Sequence, residues 1–107
     1  DGNNLLMFLA SEDYIQFDSA CAATSKELMI VYSIWCDDNG FTPLKARTVS
    51  DFLIANASKY HIEHTNNIHS VDGRRVWGFK GIRLMIDAAN HSRNGFLRIY
   101  DRNDPFT

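Results

Sequence analysis

The apolar and polar positions along the chain predict three helices followed by a β-hairpin. The first helix covers residues 4–12, where Leu5, Phe8 and Leu9 recur at helical spacing. The segment that follows is ambiguous, and we interpret residues 14–17 as a short strand followed by a loop.

The second helix has clear signals at both of its ends. Thr24 is predicted to be the N-cap, and Glu27 three residues later completes the pattern of a capping box. Gly40 can adopt the left-handed conformation that ends a helix. Between these ends, one apolar stripe is expected to face the core, and it consists of Leu28, Val31, Tyr32 and Trp35.

The third helix is predicted over residues 45–56, after the sequence FTPL. Ala46, Val49 and Leu53 form a narrow stripe that we expect to be buried, with Phe52 beside it. The opposite side is predicted to be exposed and consists of Arg47, Thr48, Ser50, Asp51 and Ile54. A helix of this kind can lie against a long, grooved ligand, and a solvated surface helix explains the same residues equally well.

The hairpin is predicted from two β-rich segments, residues 59–70 and 74–80, on either side of Asp72-Gly73. A two-residue turn there pairs Val71 with Arg74, His69 with Val76, Ile68 with Trp77, and Asn66 with Phe79. Because side chains alternate across a strand, this register sorts apolar residues from cations. It directs Ile68, Trp77 and Phe79 to the core, and His69, Arg74 and Lys80 outward. Gly78 and Gly81 indicate a bulge or a close approach of two backbones.

The end of the sequence gives weaker signals. Residues 87–95 are compatible with a turn of helix, and residues 96–100, FLRIY, alternate like a terminal strand or a docking arm. This segment is our candidate for a homodimer contact, through Phe96, Leu97, Ile99 and Tyr100.

Charge is distributed unevenly along a chain whose net charge is only −2. Residues 1–40 carry seven acidic residues and one lysine, whereas residues 41–85 carry seven basic and three acidic residues. Three of the four histidines also lie in the basic segment. An anionic partner responds to this local potential and not to the overall charge.

Length and composition favour one globular domain without a membrane segment. At 107 residues the chain can form a single core. The longest apolar run, residues 5–10, is too short to span a membrane and is not preceded by a basic region. Cys21 and Cys36 are expected to be free thiols of a reducing cytoplasm. Because the sequence begins with Asp1 and not with methionine, we interpret the chain as a domain of a larger protein, and a processed terminus would give the same start.

No pattern typical of an active site is visible, and we expect neither catalysis nor a cofactor in this domain. The acidic residues Glu12, Asp13 and Asp18 do not have the spacing of a known cation site. His61 and His64 have metal-ligand spacing only on a helix, and on a strand they point to opposite faces. Glycine-rich phosphate loops and nucleophile elbows are not found in the sequence.

The order of helix, helix, short turn, helix and basic hairpin is that of a winged helix, an α+β fold. In DNA-binding winged helices the third helix lies in the major groove and the hairpin, or wing, contacts the backbone or the minor groove. We therefore predict that the third helix reads bases, with Arg47 on a guanine edge. The wing is predicted to contact phosphates or to reach the minor groove. The candidate DNA-binding residues are Lys45, Arg47, Thr48, Ser50, Lys59, His69, Arg74, Arg75, Lys80 and Arg83.

The sequence also resembles the C-terminal winged-helix domain of phage and plasmid primases. The motif WCxxNGxxPL, at residues 35–44, and GIRL, at residues 81–84, carry the resemblance, together with FLASED at residues 8–13. The family usually has tyrosine where this chain has Met29. The similarity is greatest to origin-binding domains of satellite-phage proteins that combine primase and helicase. It implies sequence-specific binding to double-stranded origin DNA in the host bacterial cytoplasm, self-association, and contact with the rest of a replication protein.

Two other functions are compatible with the same residues. A protein-interaction winged helix, used for oligomerisation or docking, would bind DNA weakly and without selectivity. A transcription regulator would share the DNA chemistry and differ only in where its site lies. The base sequence recognised and the spacing of half-sites do not follow from the amino-acid sequence.

Overall fold

The computed structural model describes residues 3–70 and 72–86. The fold of this part of the chain is mixed α+β, with four helices and three strands. In chain order the elements are α1 (Asn3–Leu9), β1 (Ile15–Thr24), α2 (Ser25–Asn39), α3 (Ala46–Ala55), α4 (Ala57–Tyr60), β2 (Glu63–His69) and β3 (Arg75–Leu84). The strands form one antiparallel sheet in the order β1-β3-β2, so the last strand is the central one.

Helix α2 confirms the sequence prediction at both ends and along its buried stripe. The Thr24 hydroxyl accepts the Glu27 N–H, and the Glu27 carboxylate accepts the Thr24 N–H, which is a complete capping box. Gly40 ends the helix in the left-handed conformation, with φ of 78°. The four residues predicted to face the core are all buried: Leu28, Val31, Tyr32 and Trp35.

Tyr32 connects α2 to two other parts of the helical layer. Its hydroxyl donates to the Asn4 side chain (2.8 Å) and accepts the Leu44 N–H (3.0 Å). Its ring lies 5.2 Å from that of Phe8 in α1. One buried side chain therefore holds both α1 and the segment leading into α3 against α2.

Strand β1 is longer than predicted. We expected a strand that ends at residue 17, but pairing with β3 resumes at Ala22 and continues to Thr24. Residues 18–21 of β1 lie opposite the single residue Gly81 of β3, so they form a large bulge. The sequence DSAC in this bulge has little β propensity, and only the long-range pairing with β3 makes the strand continue.

The hairpin forms at the predicted place, but the predicted register is wrong by one residue. The Ser70 N–H donates to the Arg74 carbonyl (2.9 Å), so the chain reverses over a longer turn than a two-residue one. As a result His69 pairs with Arg75 and Ile68 pairs with Val76. Gly73, with φ of 86°, supplies the left-handed residue of this turn.

A bulge in β2 moves the register again. Thr65 pairs with Gly78 and Ile68 with Val76, so Asn66 and Asn67 together lie opposite Trp77. Phe79 is buried as predicted, whereas the prediction that Trp77 packs in the core is wrong. The close approach predicted at Gly78 is confirmed, because a Cβ atom there would lie 2.3 Å from the Ala23 carbonyl oxygen.

Helix α3 agrees with its predicted bounds to within one residue at each end. Val49 and Leu53 are buried as expected, whereas Ala46 is exposed and does not belong to the buried stripe. The residues that follow were predicted to begin a strand, but residues 57–60 form the short helix α4. His61, with φ of 58°, ends α4, and β2 begins only at Glu63.

No helix within residues 3–70 and 72–86 has both the length and the apolar character that crossing a membrane requires. The predicted terminal strand, with its candidate dimer contacts Phe96, Leu97, Ile99 and Tyr100, lies outside the described residues.

Candidate nucleic-acid interface

The outer side of α3 is a continuous stripe of exposed side chains. Val49 and Leu53 attach the helix to the core, and the exposed positions recur at helical spacing on the opposite side. They are Arg47, Thr48, Asp51, Ile54 and Ala55, while Ser50 is half-buried at the edge. The stripe combines a guanidinium, a hydroxyl, a carboxylate and an aliphatic side chain, groups that read base edges in the major groove.

Arg47 and Asp51 lie one turn apart on this stripe and form a loose ion pair. The Arg47 Nε and Asp51 Oδ2 atoms are 3.8 Å apart, and the Arg47 side chain is 92% exposed. Exposed pairs at this spacing contribute only about 0.3–0.5 kcal/mol to stability. The guanidinium can therefore leave Asp51 for a ligand at little cost in free energy.

Lys45 occupies the N-cap position of α3, and its side chain makes no capping hydrogen bond. The first N–H groups of α3 consequently have no side-chain partner at the cap, unlike those of α2. The exposed ammonium of Lys45 lies at the same helix end. Both features favour a negatively charged group, such as a phosphate, at the start of α3.

Asp72 organises the tip of the hairpin. Its carboxylate accepts hydrogen bonds from the Ser70 hydroxyl, from the Arg74 N–H (3.1 Å) and from Arg74 Nε (3.1 Å). The Ser70 hydrogen bond is the main cause that lowers the pKa of Asp72, and Arg74 contributes further. Asp72 thus orients Arg74, whose side chain stays 81% exposed at the tip. The turn signal located the tip, but it did not indicate that Asp72 itself partly neutralises Arg74.

The sheet separates the other predicted cations into two groups. All of these cations are exposed. Lys80 directly follows the buried Phe79, and Arg83 directly follows the buried Ile82. Because side chains alternate along a strand, both cations lie on the side of the sheet away from the helices. Lys80 also pairs across the sheet with Glu63. Arg75, two strand positions before Trp77, lies on the helix-facing side together with its partner His69. The prediction that His69 and Lys80 share one face is therefore wrong.

Lys59 lies in α4, away from the hairpin tip. Its Nζ atom is 5.7 Å from the centroid of the Tyr60 ring, which in turn stacks on Phe17 at 4.9 Å. This packing holds the exposed lysine near the C-terminal end of α3. Lys59 and Lys45 therefore lie beyond opposite ends of that helix.

Sequence reasoning missed Trp77 as a surface residue. Its side chain is 55% exposed and stacks on His64, with ring centroids 4.7 Å apart. Two arginines close before a tryptophan in a hairpin were a usable signal, but we assumed that Trp77 is buried because it shares a side of the strand with Phe79.

Within the described part of the chain, no group of three or more His, Cys, Asp or Glu side chains could hold a metal ion. Comparisons with known protein families, with curated proteins and with solved structures found no match for this chain.

Proposed function

We propose that this chain is a winged-helix domain that binds double-stranded DNA sequence-specifically at a replication origin. In this proposal it anchors a primase–helicase there, in a bacterial cytoplasm, and performs no catalysis itself. The resemblance of residues 8–13, 35–44 and 81–84 to phage and plasmid primases suggests the origin and the parent protein.

The order of the elements supports the winged-helix fold. Apart from the short helix α4, the elements follow the order of that fold: a helix, a strand, two helices and a hairpin, with β3 between β1 and β2. In this proposal α2 and α3, which residues 40–45 join, act as a helix-turn-helix pair. In such a pair the second helix enters the major groove.

The observation that carries the proposal is the exposed stripe of α3. A helix with only two buried anchors, Val49 and Leu53, leaves most of its surface for a ligand. Its outer side offers Arg47 for guanine and Ile54 for the methyl group of thymine. Lys45 and Lys59 lie beyond its two ends, where phosphates of the same groove would pass.

One observation favours docking to another protein as a second function. Leu6 and Met7 of α1 are both large, apolar and exposed. They belong to the acidic first 40 residues, whose charge would repel DNA. This surface is suited to contact with the rest of the parent protein while α3 holds DNA.

The first test is selection of duplexes from a randomised pool, followed by fluorescence anisotropy with the enriched and a scrambled duplex across a salt series. We expect a ratio of affinities above roughly 10³ and a steep loss of affinity with salt. Weak and equal binding to both duplexes would contradict the proposal and leave docking as the better function.

Replacement of Arg47 tests base readout by α3. Arg47→Ala should weaken binding to the enriched duplex by about 1–3 kcal/mol and relax one base preference. Arg47→Lys is the matched control, because it keeps the charge and loses the planar fork. If the lysine variant retains full selectivity, Arg47 contacts phosphate and not a guanine edge.

Replacement of Arg74 tests the wing. Arg74→Ala should weaken enriched and scrambled duplexes by similar factors and reduce the slope of affinity against salt by about one. A loss confined to the enriched duplex would instead place the wing in contact with bases.

A further inference from the structure

A row of side chains on the helix-facing side of the sheet continues beyond the core. Phe79, Trp77 and Arg75 are alternate residues of β3 and therefore point to the same side. Phe79 is fully buried, Trp77 is 55% exposed and Arg75 is exposed. The helices thus cover Phe79 at one end of this row and leave Trp77 and Arg75 at the other end accessible to a ligand.

His64 joins this row from the neighbouring strand. Its ring lies 4.9 Å from that of Phe79 and 4.7 Å from that of Trp77, with an angle of only 22° to the indole. The stack is therefore anchored in the core at Phe79 and ends at Trp77. Stacked support from one side fixes the orientation of the indole, so a further ring can add to it with little loss of side-chain entropy.

The bulge in β2 explains why Trp77 is left exposed. The residues opposite it are Asn66 and Asn67, and both are themselves exposed. A regular ladder would place one side chain directly across from Trp77, whereas a bulge re-aims the side chains on its strand. The local structure therefore presents the indole to the solvent.

Positive charge surrounds the exposed indole. Arg75 lies two positions further along the same side, opposite His69. Trp77 also lines a shallow groove with Lys26 of α2 and with Arg74. The acidic residue of this groove, Asp72, is bonded to Arg74 and offsets its charge, so the groove carries one net positive charge. An aromatic face among cations disfavours a cationic ligand and favours a flat, neutral ring attached to a negative charge.

We propose that Trp77 is a stacking platform for an unpaired base of single-stranded DNA, with Arg75 on the adjacent phosphate. Proteins that bind single strands combine aromatic platforms with a basic groove in this way. Bases inside a duplex stack on each other, so the platform takes a strand that has been separated. The inference rests on the proposed function only in taking nucleic acid as the ligand, and it adds a second ligand to the duplex site on α3.

The test measures the affinity of the whole chain for a labelled 15-nucleotide oligothymidine by fluorescence anisotropy. Trp77→Ala should weaken binding by about 5- to 150-fold, the range for loss of one stacked base. Trp77→Phe should retain most of the affinity, because it keeps an aromatic face. The matched control is Met85→Ala, which removes another large exposed side chain just past the opposite end of β3 and should leave the affinity unchanged.

Intrinsic fluorescence provides a second measurement. The only other tryptophan, Trp35, is buried and stacks on Phe41 at 5.3 Å. Oligothymidine should therefore quench the emission of Trp77, and the Trp77→Phe chain should bind without quenching. Binding that leaves the emission of the unaltered chain unchanged would overturn the inference.

The duplex measurements separate this inference from the proposed function. Arg47→Ala should lower the affinity for the enriched duplex and leave the affinity for oligothymidine unchanged. Trp77→Ala should lower the affinity for oligothymidine and leave the affinity for the enriched duplex unchanged. If Trp77→Ala weakens only the duplex, or if the unaltered chain does not bind oligothymidine, the stacking platform is wrong and readout by α3 stands. If oligothymidine binds through Trp77 and no duplex is selected, the proposed origin site fails and the platform stands.

Discussion

Helices α2 and α3 follow one another in the chain, yet they differ in how their ends are capped and in how much of their surface is buried. Six residues of α2 are buried, and its ends are closed by a capping box and a left-handed glycine. Helix α3 has two buried residues and no side-chain cap at its start. The contrast shows that α2 is stabilised by its own sequence and by packing, whereas most of the surface of α3 stays exposed. Three predictions test this contrast.

The largest expected effect comes from truncating one aliphatic side chain in each helix. Leu28→Ala in α2 should lower the free energy of unfolding by about 2–5 kcal/mol, because Leu28 is buried and its removal leaves a cavity. Ile54→Ala in α3 should change it by less than about 0.5 kcal/mol, because Ile54 is exposed. Urea denaturation gives both values. Similar losses in the two variants would show that α3 packs against more than the described core.

The same two substitutions have the opposite order of expected effects on the base-pair preference in DNA binding. Ile54→Ala should reduce the preference for one base pair in the selected duplex, because it removes the proposed contact to a thymine methyl group. Leu28→Ala should leave the preference unchanged under conditions where the variant is folded. Anisotropy with duplexes that differ at single base pairs makes this comparison.

An intermediate effect is expected from removing one oxygen atom from α2. Tyr32→Phe deletes the hydroxyl that serves both Asn4 and the Leu44 N–H, and it should cost about 1–3 kcal/mol of stability. Burial raises the pKa of Tyr32 from 10.0 to about 12. Above pH 10 the unfolded chain therefore releases a proton that the folded chain keeps, and stability falls as the pH rises toward 12.

The phenylalanine variant lacks this titration. The difference in stability between the two proteins should therefore be smaller at pH 11 than at pH 7, as measured by denaturation at both values. A difference that stays constant would mean that the hydroxyl titrates alike in the folded and unfolded chains.

The smallest expected effect comes from giving α3 the kind of cap that α2 already has. Lys45→Ser should stabilise the fold by about 0.5–1 kcal/mol, because a serine hydroxyl can accept one of the free N–H groups of the first turn. It should at the same time weaken DNA binding through loss of a phosphate contact. Lys45→Ala is the control, since it removes the charge without adding a cap. A serine variant that is more stable and binds DNA as tightly as before would show that Lys45 does not contact DNA.

These two helices also show which parts of the fold can be predicted from sequence. The capping box, the C-terminal Gly40 and the apolar stripe of α2 depend on residues within one helix, and all were predicted correctly. The bounds of α3 were also predicted to within one residue at each end, from the helical spacing of Val49 and Leu53 after the sequence FTPL.

The errors concern the sheet, where structure depends on distant residues. Strand β1 continues past Phe17 only because β3 pairs with it on both sides of a large bulge. The hairpin register depends on the hydrogen bonds of Asp72 and on a bulge at two asparagines, neither of which has a periodic signal. One residue of register error was enough to assign His69 to the wrong face, whereas Trp77 lies on the predicted side of β3 and is exposed because the helices do not cover it.

For the candidate interface, the exposure of individual residues was predicted better than their arrangement on a common surface. Exposure of Arg47, Arg74 and Lys80 follows from their chemistry, and the structure agrees. Which of them shares a side of the sheet with His69 depends on register, and for that reason the sequence placed His69 with Lys80 and not with Arg75.

The hydrogen bonds of the hairpin tip have a consequence for protein engineering. Ser70, Asp72, Gly73 and Arg74 bond to one another, over no more than four positions along the chain. A tip held together in this way is a self-contained module, and insertions or exchanged loops there can be accommodated without repacking the core. A library of grafted tips would therefore change what the wing contacts while the scaffold beneath it stays the same.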